Sequence, residues 1–365
     1  MSNYVEYKDR VAFHPGYYIK EAIDESGLSQ EDFARRLATT PKNLSVLVRG
    51  EQSLSVEMAR KLSRMFTTSI SYWLNLQQKY DELIAEFNSD EELKQEKEVF
   101  KYLEYNYFQK NFNLPVLKGK VDEQIASVRS FFGVATLSVL KNKDLAVSFR
   151  SASEDMTTAN IIRANVMVQI AINEALKRET QRFIKKKFQS AVSNVLTLTD
   201  NLEVNLPEII NEFQKCGVNL VVLPNLSGSK INGATKRIGD HVLLMVNNRG
   251  INEDTFWFSL FHEIGHIING DYGISSEDRE GDSETEADSF AADMLIPNEK
   301  YTQFIAENEC FRKEAILEFA ASIQRDPGIV LGRLEKDGYV DYNDWKLKSL
   351  HKKYRFTNPF GVNSR

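Results

Sequence analysis

The sequence predicts a mainly α-helical protein with one small antiparallel sheet, an α+β fold class. Three observations predict it. The first 85 residues fall into five short helical segments, each set off by its own caps and glycines. Further on, GVNLVVLP (Gly217 to Pro224) and IGDHVLLMVN (Ile238 to Asn247) have the length and apolar character of strands. Directly after them, Thr255 to Asp271 reads as a buried helix, apolar on most sides through Phe256, Trp257, Phe258, Leu260, Phe261, Ile264, Ile267 and Ile268. His262 and His266 are set into that apolar helix four residues apart.

Composition sets the outer bounds. A chain of 365 residues exceeds one small core, and its punctuation divides it at 1–85, 86–204 and 205–365. With 42% hydrophobic and 27% charged residues it has the composition of a folded globular protein. No apolar run is long enough to cross a bilayer, and MSNYVEYKDR at the start lacks the apolar core of a signal peptide. The expectation is a cytoplasmic protein with no membrane partner. Cys216 and Cys310 lie far apart, so free thiols are expected, and a metal would not be held by sulfur. The net charge of −6 gives no overall pull toward nucleic acid, so any DNA contact must come from a local surface and weaken with salt.

In chain order, Pro15-Gly16 opens the first helix and Gly27 closes it. Ser29 caps the second, with Gln30, Glu31 and Asp32 in its first turn and Phe33, Ala34 and Leu37 on its inner face. After a turn at Ala38-Thr39, Thr40 caps a third helix that has Pro41 at its first position, where the missing N–H costs nothing, and ends at Gly50. Ser55 caps a fourth, and Ser69 or Ser71 opens a fifth. Two helices of about eight residues joined by a tight turn make the helix-turn-helix pattern. FHPG, LSQEDFA, NLSVLVRG and SYWLNLQ, in this order, resemble the XRE-type DNA-binding domains, specifically the HigA antitoxin-like subgroup. The resemblance implies a lambda-repressor-like domain that binds double-stranded operator DNA as a homodimer. It places Thr40, Lys42 and Asn43 at the base edges with Ser45 and Val46 behind them, and Gln30, Arg35, Arg49 and Lys61 at phosphates. One departure is Ala38, where the family has glycine; a less open turn is expected there.

Asn88 to Phe112 read as a helix leaving this domain, charged first and then aromatic, ended by Leu114-Pro115. Further helical segments are expected near 121–132, 157–177 and 180–195, and the RFIKKK cluster from Arg182 to Lys187 reads as a solvated face. This connecting region declares no chemistry.

The spacing of His262 and His266 brings both imidazoles out of one helix face about one turn apart, suiting two nitrogens on one ion at roughly 2.0–2.1 Å each. Glu263 lies between them, one step round, where a carboxylate can take the proton of an attacking water without being a ligand. This is the HExxH arrangement of zinc-dependent hydrolases. Asn232-Gly233 reads as a turn before a short edge strand, which would hold an extended peptide by backbone hydrogen bonds. In SETEADSFAADMLIP, Ser283 caps and Pro297 closes a second helix, with Glu284 assigned as the third ligand and Asp288, four residues on, hydrogen-bonding a ligand histidine. Glu286 is the competing ligand, although with Ser283 it would form a capping box. Tyr272 and His241 are the oxyanion candidates. After residue 300 the chain reads as helices packing on this core, broken at Arg325 to Gly328.

HEIGH, the following ExxxD segment and the upstream strands resemble the ImmA/IrrE metallopeptidases, with a thermolysin-like ligand pattern. The resemblance implies Zn²⁺, with Mn²⁺ or another divalent ion as the alternative, and a protein substrate: a repressor, an antitoxin or the chain itself. Together the two halves describe a transcriptional regulator carrying a zinc endopeptidase. The alternative is a DNA-binding repressor or antitoxin whose metal domain is a non-proteolytic sensor or partner-binding module.

Overall fold

A computed structural model describes residues 3–143, 157–248, 252–276 and 281–354, and the chain divides into two units, Met1–Gln95 and Glu96–Arg365. In the first unit, a hairpin of β1 (Tyr4–Tyr7) and β2 (Arg10–Phe13) precedes α1 (Pro15–Ser26), α2 (Gln30–Arg36), α3 (Pro41–Val48) and α4 (Val56–Phe66), and α5 (Ile70–Phe100) runs past Gln95 into the second unit. The caps are those the sequence announces. Ser29, Thr40 and Ser55 each accept a backbone N–H from the third residue of the helix they open. Ile19, Phe33, Leu37, Leu44, Leu47 and Leu62 are fully buried between these helices. Gly16 lets α1 meet α3, since a Cβ there would stand 2.2 Å from the Leu47 carbonyl.

Ala38 does not tighten the turn as expected. It sits at φ +53 in the left-handed region, closing α2 with Thr39 N–H donating to Ala34 O at 3.0 Å and its own N–H to Arg35 O at 3.1 Å. A Cβ in that conformation costs about 1–2 kcal/mol, partly offset by alanine's smaller loss of chain entropy. Ala38→Gly should therefore raise stability by up to about 1 kcal/mol in thermal unfolding of the full chain; a fall would contradict the strained turn.

The hairpin is unannounced in sequence, because its two-residue turn places Lys8 rather than glycine at positive φ (+54). Tyr7 stacks on Phe87 at 5.0 Å, and Lys8 and Arg10 pair with Asp90 and Glu86 of α5. The fifth helix and the charged spacer are one element of 31 residues, since no glycine or proline interrupts Ile70 to Phe100. It stops sooner than expected: turns at Tyr102 and Leu103 separate it from α6 (Tyr105–Phe112).

The second unit continues with α7 (Val121–Phe132), α8 (Thr158–Leu176), α9 (Lys185–Val195) and α10 (Leu202–Lys215). Then come β3 (Val218–Leu223), β4 (Ile231–Ile238), β5 (His241–Asn247), α11 (Glu253–Asn269), β6 (Ile274–Ser276), α12 (Asp282–Leu295), α13 (Asn298–Glu307), α14 (Lys313–Ile323) and α15 (Pro327–Lys336). The sheet order is β3-β5-β4-β6, with β3 parallel to β5 and the other pairs antiparallel. The small sheet is thus mixed rather than wholly antiparallel. All six residues of β3 are buried, as a strand covered on both faces requires. Val218, Leu220, Val222, Val242, Leu244 and Val246 share a core with α10 and α11; the alternate side chains turn to the opposite face, where α8 packs on β3 and β5.

The residues expected as a connecting region do not stand apart from this unit. α8 is buried nearly all round, Tyr107 donates its hydroxyl to Pro224 O at 2.7 Å, and Arg178 donates to Leu220 O at 2.7 Å. Asn232-Gly233 lies within β4 and carries a bulge against β6; the hairpin turn is Gly239-Asp240, with Gly239 at φ +58. β4 is flanked by β5 and β6, so the outer strand beside it is β6.

Candidate metal centre and nucleic-acid face

α11 is fixed by its apolar sides. Phe256, Trp257, Phe261 and Ile264 are at most 2% exposed, each worth about 1.5–3 kcal/mol of burial. Gly270 at φ +77 ends the helix. α12 lies against it where side chains are smallest: a Cβ on Gly265 would come within 3.3 Å of the Ala287 Cα, and Ala287 and Ala291 are fully buried. This approach brings Glu284 to the histidines.

His262 Nε2 is 3.0 Å from Glu284 Oε2 and 3.1 Å from His266 Nε2, and His266 Nε2 is 3.7 Å from Glu284 Oε2. Tetrahedral bonds of 2.0–2.1 Å imply ligand atoms about 3.3 Å apart, so the three donors match one ion. The far ring nitrogens are also engaged: His262 Nδ1 with Asp288 Oδ1 at 2.8 Å and His266 Nδ1 with Asp271 Oδ2 at 3.1 Å. Donating each Nδ1–H to a carboxylate leaves both Nε2 lone pairs converging with a carboxylate oxygen, a donor set that calls for a cation. Burial opposes a charge on His262, but its hydrogen bonds to Asp288 and Glu284 outweigh that and raise its pKa to about 9. Burial likewise opposes ionisation of Glu284, yet hydrogen bonds to His262 and His266 hold its carboxyl well below the usual range. The cluster draws in a proton by itself, and a divalent ion at the same point would replace it.

Glu263 is 1% exposed and lies against β4, where a Cβ on Gly233 would stand 2.5 Å from its Cγ and 2.6 Å from its Oε1. Gly233 and Asp271 were not singled out for the site from sequence. Asp271 had a signal: it follows the Gly270 stop, from which a short carboxylate reaches back to a histidine in the last turn.

Other expected members fall elsewhere. The helix begins one residue before Ser283, whose hydroxyl donates to Asp271 instead of capping, so no capping box forms. Glu286 points away, 3.4 Å from Asn269 Nδ2. His241 pairs with Ile238 at the far end of the β4–β5 hairpin, five residues along β4 from Gly233 and so about 16 Å from it. Tyr272 is partly buried against the core.

On the first unit, the N-terminal end of α3 presents Thr40 and Lys42 to solvent. Asn43 is held from two sides: its Nδ2 donates to Thr39 Oγ1 at 3.0 Å and its Oδ1 accepts from Gln52 Nε2 at 2.9 Å. Ser45 accepts from Arg49, which also makes a two-point pair with Glu51 at 2.8 and 2.9 Å. Arg35 pairs with Glu31, and Lys61 donates to the Ala38 carbonyl at 2.6 Å, bracing the turn. Gln30 is exposed at the start of α2. Of the expected phosphate contacts, only Gln30 is thus given no intramolecular role.

Comparison with known proteins agrees with both halves. Residues 19–73 match the helix-turn-helix family and residues 220–324 match the IrrE N-terminal-like domain. The chain is 40% identical over 76 residues to the uncharacterized HTH-type transcriptional regulator YddM of Escherichia coli, covering 21% of this chain and 81% of YddM. It is 42% identical over 69 residues to virulence-associated protein A' of Dichelobacter nodosus, across 19% of this chain and 60% of that relative's length. A solved structure of the Pseudomonas aeruginosa antitoxin HigA with the higBA promoter aligns at 33% identity, over 20% of this chain and 82% of that one, with a TM-score of 0.20. Through its first unit the chain belongs to the helix-turn-helix family of transcriptional regulators, and its second unit carries a peptidase domain of the IrrE/ImmA type.

Proposed function

We propose that this regulator binds operator DNA through α3 and cuts a regulatory protein with a zinc-dependent endopeptidase centre in its second unit. One observation carries the reading: His262, His266 and Glu284 converge on a single point while Glu263 is held beside them against β4. A divalent ion there, zinc by preference, would activate water and polarise the scissile carbonyl. Glu263 takes the proton from the attacking water and gives it to the departing amine. Asp288 and Asp271 hold the two imidazoles in the tautomer that keeps each Nε2 a donor of its lone pair. An extended peptide adds to the sheet along β6, the outer strand beside β4. The substrate is a repressor, an antitoxin or the chain itself, since the peptidase domain shares its chain with a DNA-binding unit. Thr40, Lys42 and Asn43 read bases as part of a homodimer, with Ser45, Arg49 and Gln30 at the edge of the contact.

One preparation tests both halves. Duplexes selected from a random pool by the wild-type chain should lose roughly 10-fold or more in affinity with Lys42→Ala and Asn43→Ala together. New protein N-termini, followed by mass spectrometry in a cell extract, should form with the zinc-loaded chain and cease after chelation. Unselective duplex binding, or the same N-termini after chelation, would refute the corresponding half.

A further inference from the structure

A cavity of about 450 Å³, in the range of organic-ligand sites, is lined in part by Phe258 and Ser259 of α11, one helical turn before His262. Its wall adjoins residues of the centre at three points. Phe258 and Ser259 stand on the same side of α11 as His262, and the Phe258 and His262 rings are 6.5 Å apart. Asn232 adjoins Gly233, on which Glu263 rests. Lys336 lies 4.1 Å over the Phe258 ring with its Nζ 3.4 Å from Asp288 Oδ2.

The charges in the lining are matched by protein partners. Asp254 and Glu335 both meet His351 at 3.1 Å, Arg333 meets Asp337 at 2.7 Å, and Lys336 meets Asp288. A charged occupant would have to displace one of these pairs, whereas Phe258, Leu295 and Ile329 offer apolar surface at no such cost.

We infer that this cavity is the specificity subsite of the proposed peptidase, receiving a bulky apolar side chain, aromatic or branched aliphatic, next to the scissile bond. The inference rests on the peptidase reading and adds the substrate class. Alanine or glycine at that substrate position would leave the apolar wall wet; a benzyl group would cover it.

Calorimetry on the zinc-loaded full chain with amino-acid hydroxamates, which anchor on the ion, tests it without a known substrate. Phenylalanine hydroxamate should bind roughly 10- to 100-fold more tightly than glycine hydroxamate. Ala292→Phe, which fills the cavity from α12, should cut that preference to under about threefold and leave glycine hydroxamate unchanged. Equal binding of the two compounds by the wild type, or tighter binding of lysine or glutamate hydroxamate, overturns the subsite and leaves the metal reading standing. Binding of none of them overturns the metal reading, and the subsite falls with it.

Discussion

Replacing Glu263 by glutamine should stop peptide-bond cleavage while leaving metal content, DNA affinity and fold intact. The side chain is 1% exposed, and the amide keeps its shape, so packing against β4 is preserved. What disappears is the proton acceptor. Losing a positioned general base lowers the rate by about 10²–10⁴-fold. Because the swap conserves volume, stability should stay within about 1.5 kcal/mol of the wild type. The measurement is the rate at which new N-termini appear in the cell extract, beside zinc content and duplex binding of the same sample. Wild-type cleavage rates in the variant would remove Glu263 from the mechanism. If neither protein cuts anything while both bind zinc and DNA, the second unit is a sensor or partner-binding module.

Gly233→Val should abolish cleavage through position alone. Even the first carbon of a side chain would stand 2.5 Å from Glu263 Cγ, so the carboxylate must leave its place and β4 must shift away from α11. Overpacking of this kind costs about 1–3 kcal/mol, and the misplaced base should cost at least about 100-fold in rate. Zinc should stay bound, because all three ligands come from α11 and α12. Cleavage near the wild-type rate in a folded variant would mean that Glu263 works from somewhere other than the groove beside Gly233.

Much of this was legible in the sequence because it rests on local rules. Ser29, Thr40 and Ser55 announce helix starts whose caps need only neighbouring residues, and the His262–His266 spacing follows from helical periodicity. Glu284 was reachable because its face of α12 also carries Ala287 and Ala291, whose small size permits close approach. What stayed hidden depends on contacts distant in sequence. The parallel pairing of β3 with β5, the insertion of α8 over the sheet and the approach of Gly233 to Glu263 each join segments with no shared local signal. Lys8 and Ala38 hid for a different reason: each occupies a left-handed conformation that sequence rules reserve for glycine. Ser283 misled because a hydroxyl that can cap a helix can equally donate to a carboxylate, and Asp271 lies within reach.

The most direct test of the central claim is the metal content of the purified chain by elemental mass spectrometry, beside Glu284→Ala and Glu286→Ala. Removing one of three ligands should strip the ion, whereas Glu286 faces Asn269 and plays no part. The account predicts about one zinc per chain in the wild type and in Glu286→Ala, and none retained by Glu284→Ala. A wild-type chain that takes up no divalent ion when zinc is added, or a metal lost with Glu286→Ala and kept with Glu284→Ala, would contradict it.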